Sequence, residues 1–171
     1  MSEPTIITTA TLPTPVGDVV LYGHGDALCG LIFSDRGERL HAFLRGRFGE
    51  VVYRPSSDPG GAMRRMRDYL AGDLRAIDDV AVDLGGTPFQ SGVWAALRRI
   101  PLGATCSYGD LARAVGSAAA VRAVGAANGA NPVSIVVPCH RVVASDGKLH
   151  GYGGGLPRKQ WLLQHEGALL V

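Results

Sequence analysis

The segment Ser134-Ile135-Val136-Val137-Pro138-Cys139-His140-Arg141 decides how the second half of the chain is interpreted. Its β-branched residues predict a buried strand, and Pro138, which cannot donate to a sheet ladder, predicts that the strand ends there. Cys139 would then lie where a rigid element gives way to a turn, with its thiol facing a pocket. The imidazole of His140 can exchange a proton near neutral pH. Most free cysteines are buried structural residues, but this arrangement favours a nucleophile.

The composition is that of a globular protein of 171 residues, of which 46% are hydrophobic and 19% are charged. No apolar run approaches the ~20 residues that span a bilayer, and the start Met1-Ser2-Glu3-Pro4 does not have the pattern of a signal peptide. The three cysteines, Cys29, Cys106 and Cys139, are odd in number and widely spaced, which argues against disulfides and zinc ribbons. We therefore expect a cytoplasmic protein that does not associate with membranes.

The charges are unevenly distributed along the chain. Residues 1–88 carry nine Lys/Arg against twelve Asp/Glu, whereas residues 89–171 carry eight Lys/Arg against three Asp/Glu. The basic half therefore contains Cys139, which is compatible with a phosphate-bearing partner.

Residues 1–80 predict a small α/β domain that serves as a scaffold. Short β-rich runs alternate with turns up to Phe33 and favour an antiparallel meander, and helices are predicted over residues 36–48 and 63–70. Cys29, His24 and His41 lack the fourth ligand and the compact spacing of a structural zinc site, so no metal is expected. Residues 81–86 are predicted to be a linker to a second domain over residues 87–171.

Three helices are predicted between this linker and the cysteine. Thr87-Pro88-Phe89-Gln90 has the pattern of a capping box. Ser107 is predicted to cap a second short helix, and Ser117 a third helix over residues 118–127. The last two, joined by a Gly-Ser turn, predict a helix-turn-helix.

The third predicted helix presents one long polar side chain, Arg122, on a surface of small residues. Major-groove readers usually project several long polar side chains to base edges. A bare helix suits non-specific docking in the narrow minor groove, with Arg122 entering the base stack. An alanine-rich helix packed in the core is an equal alternative on composition alone.

Two further features complete the candidate site. The glycines around Tyr152 lack the Gly-Lys-Ser/Thr ending of a phosphate loop and suggest a backbone that approaches a flat ligand, although a flexible surface loop is the alternative. Glu166 follows the last predicted helix, where a carboxylate is unfavourable toward the helix dipole. We therefore expect a histidine partner for Glu166.

These motifs resemble the O6-alkylguanine-DNA alkyltransferase family, also called the methylated-DNA–protein-cysteine methyltransferases. The resemblance covers nearly all of residues 85–167, in order, through the following stretches: Thr87-Pro88-Phe89-Gln90…Val93-Trp94, Ser107-Tyr108-Gly109, Arg122-Ala123-Val124-Gly125, Asn131-Pro132, Pro138-Cys139-His140-Arg141-Val142-Val143, Gly151-Tyr152-Gly153-Gly154-Gly155 and Leu162-Leu163…Glu166. It implies an α/β (α+β) protein with a ribonuclease-H-like N-terminal domain. The C-terminal domain would be mainly helical, with a winged helix-turn-helix-like DNA-binding motif.

Three departures from the family's pattern are visible. Some members bind a structural zinc through two Cys and two His in the N-terminal domain, and this chain lacks that set. Some have a serine where Gly153 stands, and a basic residue late in the recognition helix where this chain has Asn128 and Gly129.

The resemblance implies direct-reversal DNA repair without a cofactor. The alkyl group of O6-alkylguanine, and also of O4-alkylthymine, would move irreversibly to Cys139 after the base is flipped out of the duplex. Each molecule would act once, because no hydrolytic route opens the thioether that forms. The expected partner is double-stranded DNA bound through its minor groove, by a monomer that can also assemble cooperatively along DNA.

The resemblance also implies residue roles. Cys139 would be the nucleophile, His140 its base through a water molecule, and Glu166 the group that orients the imidazole. Asn131 would hydrogen-bond within the active-site turn, and Tyr108 would donate to a guanine ring nitrogen. The substrate pocket would include Pro138, Val142, Tyr152 and Gly153, with the carbonyl groups of Cys139 and Val142 and the amide of Gly153 reading the base edge. The DNA contacts would include Arg122, Tyr108, Ala123 and Ser145.

Two other functions fit part of the pattern. A cysteine hydrolase also uses Cys, His and a carboxylate, but it turns over and needs no DNA-docking helix. A binding module would be either a helix-turn-helix regulator or a silent alkyltransferase-like protein. The silent type lacks the reactive cysteine, and a regulator would show a strong sequence preference, against which the bare helix argues.

Overall fold

The computed structural model of the chain describes residues 3–169, which fall into two units divided between Gly85 and Gly86. The first unit contains a sheet with helices and the second is mainly helical, so the predicted α/β (α+β) class is confirmed. Met1-Ser2, part of the start from which no signal peptide is predicted, lies outside the described residues. The division of roles between a scaffold domain, a linker and a catalytic domain stays a prediction.

A four-stranded sheet is the centre of the first unit, with strand order β3-β2-β1-β4. The strands are β1 (Thr5–Leu12), β2 (Val19–His24), β3 (Ala27–Phe33) and β4 (Val51–Pro55). The first three pair antiparallel, which confirms the predicted meander, whereas β4 was not predicted and pairs parallel to β1. Helices α1 (Glu38–Phe48) and α2 (Met63–Leu70) agree closely with prediction.

The thiol of Cys29 belongs to the apolar core of this unit. It packs in one cluster with Ile7, Tyr22, Leu40 and Leu44. Burial raises the pKa of Cys29 to about 11, so this thiol stays protonated and unreactive at neutral pH. No group of three or more potential metal ligands is found among residues 3–169. Within the same residues, no helix is long and apolar enough to cross a membrane.

The residues predicted as a linker begin as part of this unit. Leu28 N donates to Ala81 O at 2.9 Å, and Asp83 N donates to Leu28 O at 2.8 Å, so residues 81–83 extend the edge of the sheet. The carboxylate of Asp83 accepts a hydrogen bond from Arg47 and lies 2.9 Å from His24 Nδ1.

Four helices build the second unit: α3 (Pro88–Arg98), α4 (Tyr108–Ala114), α5 (Val121–Gly129) and α6 (Leu156–His165). Thr87 forms the predicted capping box with Gln90, and Ser107 caps α4. The predicted cap at Ser117 is wrong. Its carbonyl accepts from Ala120 N at 2.7 Å in a separate turn, so α5 begins only at Val121 and extends through Gly129.

The predicted strand over residues 134–137 is also wrong. The segment is a buried turn, in which Val137 N donates to Val133 O at 3.1 Å and Ile135 has a left-handed φ of 73°. Its β-branched residues are apolar because the turn lies inside the core, and burial alone produces the pattern of a buried strand. The neighbouring strands are short: β5 (Cys106–Ser107) pairs parallel to β6 (Val142–Val143).

Candidate active site

Cys139 follows the buried turn and begins a single 3-10 turn, Cys139–Arg141. The side chain of Asn131 closes the preceding segment from within, because Nδ2 donates to Val137 O at 2.7 Å and Oδ1 accepts from Val133 N at 3.0 Å. Pro138, between the two turns, is buried. Cys139 is only 7% exposed. The thiol is therefore held at a fixed position by backbone turns and an asparagine, without the strand that the sequence predicts.

The imidazole of His140 is completely buried and contacts the carboxylate of Glu166, the residue that ends α6. His140 Nε2 lies 2.9 Å from Glu166 Oε1, which is the histidine partner expected for this carboxylate. His140 Nδ1 has no hydrogen-bond partner within residues 3–169. With Nε2 directed at the carboxylate, Nδ1 is the nitrogen left to accept a proton.

Arg141 completes the charge arrangement, and sequence analysis did not find it. Its Nε donates to Glu166 Oε1 at 2.8 Å and Nη2 donates to Oε2 at 3.1 Å, so the carboxylate is held by both oxygens. Nη1 donates to Ile100 O at 2.8 Å. Arg141 could have been identified from charge balance, because a buried carboxylate that orients a neutral histidine needs a cation nearby.

These contacts set the protonation states around the thiol. Burial by itself would raise the pKa of Glu166, but His140 and Arg141 outweigh it and lower that pKa to about 2. Burial lowers the pKa of His140, and the Glu166 carboxylate offsets only part of this effect. At neutral pH the pair is therefore an ionised carboxylate and a neutral imidazole, which is the form that can act as a base.

The thiol of Cys139 is protonated in the resting site. Burial raises its pKa, and three influences work in the opposite direction: the Asn131 side chain, the positive charge of Lys159 and the backbone amides of Cys139 and His140. A protonated thiol is a weak nucleophile. Reaction at neutral pH therefore requires a base, and His140 is adjacent.

Two tyrosine hydroxyls lie near the sulfur. Burial and the neighbouring Cys139 raise the pKa of Tyr108, at the start of α4, and its hydroxyl donates to His150 O at 3.4 Å. Burial also raises the pKa of Tyr152 well above its usual value, with Cys139 again contributing. Both hydroxyls stay protonated near neutral pH and can donate hydrogen bonds to a ligand.

Lys159 is a second residue that sequence analysis missed. It is 0% exposed, and Nζ donates to Val142 O at 2.5 Å, His150 O at 3.0 Å and Gly151 O at 3.3 Å. Lys159 could have been identified from its position in the sequence. Its spacing to Leu162, Leu163 and Glu166 is that of residues on one buried helix face. A lysine on such a face needs buried acceptors.

The predicted DNA-contacting residues are on the surface. Arg122 and Ala123 are exposed on the first turn of α5, whereas Val124 and Ala127 are buried and Trp94 Nε1 donates to Ala127 O at 2.8 Å. The helix thus has one packed face and one bare exposed face, and docking of the exposed face in a minor groove stays a prediction. Ser145, in the turn before Lys148, and the predicted pocket residue Gly153 are also exposed.

The helices α4 and α5 and the buried thiol of Cys139 are the features expected of one class of protein, a DNA-binding protein with a reactive cysteine. Comparisons with known proteins agree. A family profile described as "6-O-methylguanine DNA methyltransferase, DNA binding domain" matches residues 88–168. The methylated-DNA–protein-cysteine methyltransferase of Salmonella typhimurium is 57% identical over 116 residues, which are 68% of each chain. That of Shigella flexneri is 44% identical over 163 residues, or 94% of this chain and 95% of the relative.

Solved structures give the same result. The crystal structure of Mycobacterium tuberculosis OGT in complex with DNA is similar with a TM-score of 0.77 at 43% identity, and the match covers 95% of this chain and 93% of that one. The chain belongs to the methylated-DNA–protein-cysteine methyltransferase family, whose reaction is DNA repair by alkyl transfer.

Proposed function

We propose that Cys139 takes the alkyl group of O6-alkylguanine in double-stranded DNA and retains it. The observation that carries this proposal is the arrangement of the buried thiol beside His140, a neutral imidazole anchored by the ionised Glu166. A neutral imidazole can accept the proton of a nucleophile, because it carries no positive charge of its own.

The first step is ionisation of the thiol. The S–H bond breaks and the proton passes to His140 Nδ1 through an intervening water, because side chains of sequence neighbours rarely face each other. The imidazolium that forms is stabilised by Glu166, which already lies 2.9 Å from the opposite ring nitrogen. Glu166 is itself held by Arg141, so the carboxylate does not take up the proton.

The second step is displacement at the alkyl carbon. A bond forms between sulfur and carbon as the carbon–O6 bond breaks, and the electron pair stays on the guanine. Tyr108 donates its proton to a ring nitrogen of the leaving base, which makes guanine a better leaving group. Its raised pKa keeps that proton available until the transfer. The carbonyl groups of Cys139 and Val142, the amide of Gly153 and the ring of Tyr152 form the rest of the base pocket, next to Pro138.

DNA is bound by the exposed face of α5. Its small side chains allow close approach to the minor groove, and Arg122 fills the space of the extruded base. Ala123 and Ser145 supply surface contacts near the phosphates. The uneven charge supports this docking, since eight of the seventeen Lys/Arg residues but only three of the fifteen Asp/Glu residues follow position 88.

The product is a thioether, which water does not hydrolyse, so each protein molecule reacts once. The atoms and electrons of the transfer balance without a cofactor. We propose that one monomer acts on each lesion and that neighbouring molecules can assemble along the DNA. All three cysteines are free thiols, which fits a reducing compartment such as the cytoplasm.

The test is intact mass spectrometry after incubation with a duplex that carries one O6-methylguanine. We expect one methyl group per protein molecule, located on the Cys139 peptide. Release of product beyond one equivalent would instead indicate a hydrolase. Binding of DNA without a change in protein mass would indicate a binding module.

A further inference from the structure

Lys159 is a buried ammonium group without a carboxylate partner among residues 3–169. The described part of the second unit has three carboxylate side chains, and each is engaged elsewhere. Asp110 pairs with Arg113, and Asp146 accepts from Lys148 N at 3.0 Å in an exposed turn. Glu166 is held by Arg141 and His140. Three backbone carbonyls are the hydrogen-bond acceptors of Nζ, and carbonyl dipoles do not cancel a full charge.

The charges around the sulfur are therefore unbalanced while the thiol is protonated. Cys139 interacts with four neighbouring side chains, namely Lys159 of α6, Asn131 of the buried turn, Tyr108 of α4 and Tyr152 of the glycine-rich loop, and His140 with its partners is next in the chain. The tyrosines, the asparagine and the imidazole are neutral, and Glu166 cancels Arg141. One positive charge remains, and ionisation of Cys139 would cancel it.

We propose that Lys159 is the counter-ion of the Cys139 thiolate and makes the thiol ionise more easily than its burial would allow. This proposal rests on the proposed function in taking Cys139 as the alkyl acceptor. Opposite charges attract strongly where water is excluded, and Nζ reaches the carbonyl of Val142, three residues after the sulfur. Burial raises the pKa of Cys139 and lowers the pKa of Lys159, and in each case the charge of the other group opposes part of the effect of burial.

A merely structural role for Lys159 makes a different prediction. As a clamp, Nζ would only fix the carbonyl groups of Val142, His150 and Gly151, and its loss would loosen the loop. Stability and DNA repair would then fall, but the pH at which the sulfur ionises would not move. The midpoint of a pH–rate profile therefore separates the two roles.

The experiment uses the full chain and a small neutral thiol reagent, methyl methanethiosulfonate, with modification of Cys139 followed by peptide mapping across a pH series. Lys159→Met removes the charge at similar volume, Lys159→Gln retains a donor without charge, and Lys159→Arg retains the charge. Lys148→Met is the matched control, because Lys148 is the other lysine of the chain and is exposed.

We expect Lys159→Met and Lys159→Gln to move the midpoint to higher pH and to lower the rate at pH 7 by ~10-fold or more. Lys159→Arg and Lys148→Met should keep the midpoint near that of the unmodified protein. Should Lys159→Met fail to fold, Lys159→Gln carries the comparison. An unchanged midpoint in the Gln variant, with methyl transfer from DNA still reaching Cys139, would overturn the counter-ion role alone. Transfer that never reaches Cys139 would instead overturn the proposed function.

Discussion

Lys159, in the first turn of α6, and Glu166, which directly follows the last residue of α6, are seven residues apart and both contact the segment that contains Cys139. Lys159 Nζ donates to Val142 O at 2.5 Å, and Glu166 Oε1 lies 2.9 Å from His140 Nε2. Seven residues are about two helical turns. One helix therefore fixes the distance between a buried cation and a buried anion, with Cys139 in the segment that they hold.

The first prediction concerns the nucleophile. Cys139→Ser should abolish methyl transfer and leave binding to methylated duplex nearly unchanged, because a serine hydroxyl is slightly smaller than the thiol and is a far weaker nucleophile. Protein mass and DNA-binding anisotropy measure the two properties on the same sample. Cys106→Ser is the control, and it should retain both. Loss of DNA binding in Cys139→Ser would contradict the role assigned to the sulfur.

Arg122 provides the second prediction. Arg122→Ala should slow repair of duplex DNA by ~10-fold or more, while reaction with the free base O6-alkylguanine changes little, since only the duplex substrate requires extrusion of the base. Single-turnover rates with the two substrates give the comparison. Arg64→Ala, at a side chain 92% exposed in the first unit, controls for the loss of one positive charge. Equal losses with both substrates would remove the argument for base extrusion.

A third prediction follows from the buried ion pair. Glu166→Gln should lower the free energy of unfolding by about 3–5 kcal/mol, because Arg141 would be left buried without its counter-charge. Alkyl transfer should fall as well, since the imidazolium loses its stabilising carboxylate. Denaturant unfolding and single-turnover kinetics measure the two effects. A variant as stable as the original would show that the carboxylate contributes no net stability.

The pH dependence of stability is the fourth prediction. The pKa of Glu166 is lowered from 4.5 to about 2 on folding, so the unfolded chain binds the extra proton between these values. Its contribution, about 3 kcal/mol, should be complete above pH 4.5 and should disappear as the pH falls toward 2. The lowered pKa of His140 acts in the same direction below pH 6.5. Unfolding free energies across this range should fall more steeply for the unmodified protein than for Glu166→Gln.

The fifth prediction concerns the turn before the thiol. Asn131→Ala leaves Val133 N without its partner, and an unsatisfied buried donor costs about 1–3 kcal/mol. Val137 O loses one of two hydrogen bonds, because it still accepts from Cys139 N at 2.8 Å. The variant should unfold at lower denaturant concentration and transfer methyl more slowly. Asn128→Ala is the comparison, because Asn128 is also buried but its Oδ1 has no partner within residues 3–169. A larger loss at Asn128 would contradict this account of the turn.

Local signals predicted much of the fold. The Thr87 and Ser107 caps, the meander and the helix over residues 63–70 depend on residues close together in sequence, and each appears in the structure. The turn at Ser134–Val137 could not be predicted in the same way. Its apolar residues are buried in the folded unit, and the left-handed φ of Ile135 lies between two residues, Val133 and Val137, that the Asn131 side chain joins.

The sequence predicted those residues of the candidate site that belong to recognisable chemical motifs. Cys139, His140 and Glu166 were found because a thiol, an imidazole and a carboxylate have recognisable reactivity. Arg141 and Lys159 were missed because their importance lies in balancing buried charge, which depends on which side chains meet across the fold. Tertiary contacts decide that, and one sequence does not reveal them.

The order of the elements along the chain has a consequence during synthesis. Because α6 follows the buried turn, a nascent chain that has left the ribosome only as far as Cys139 contains neither the carboxylate nor the ammonium group that surround the sulfur in the folded protein. Its thiol would still behave as that of an ordinary cysteine. The complete arrangement of thiol, base and buried charges would arise only when the last helix has been translated and has docked.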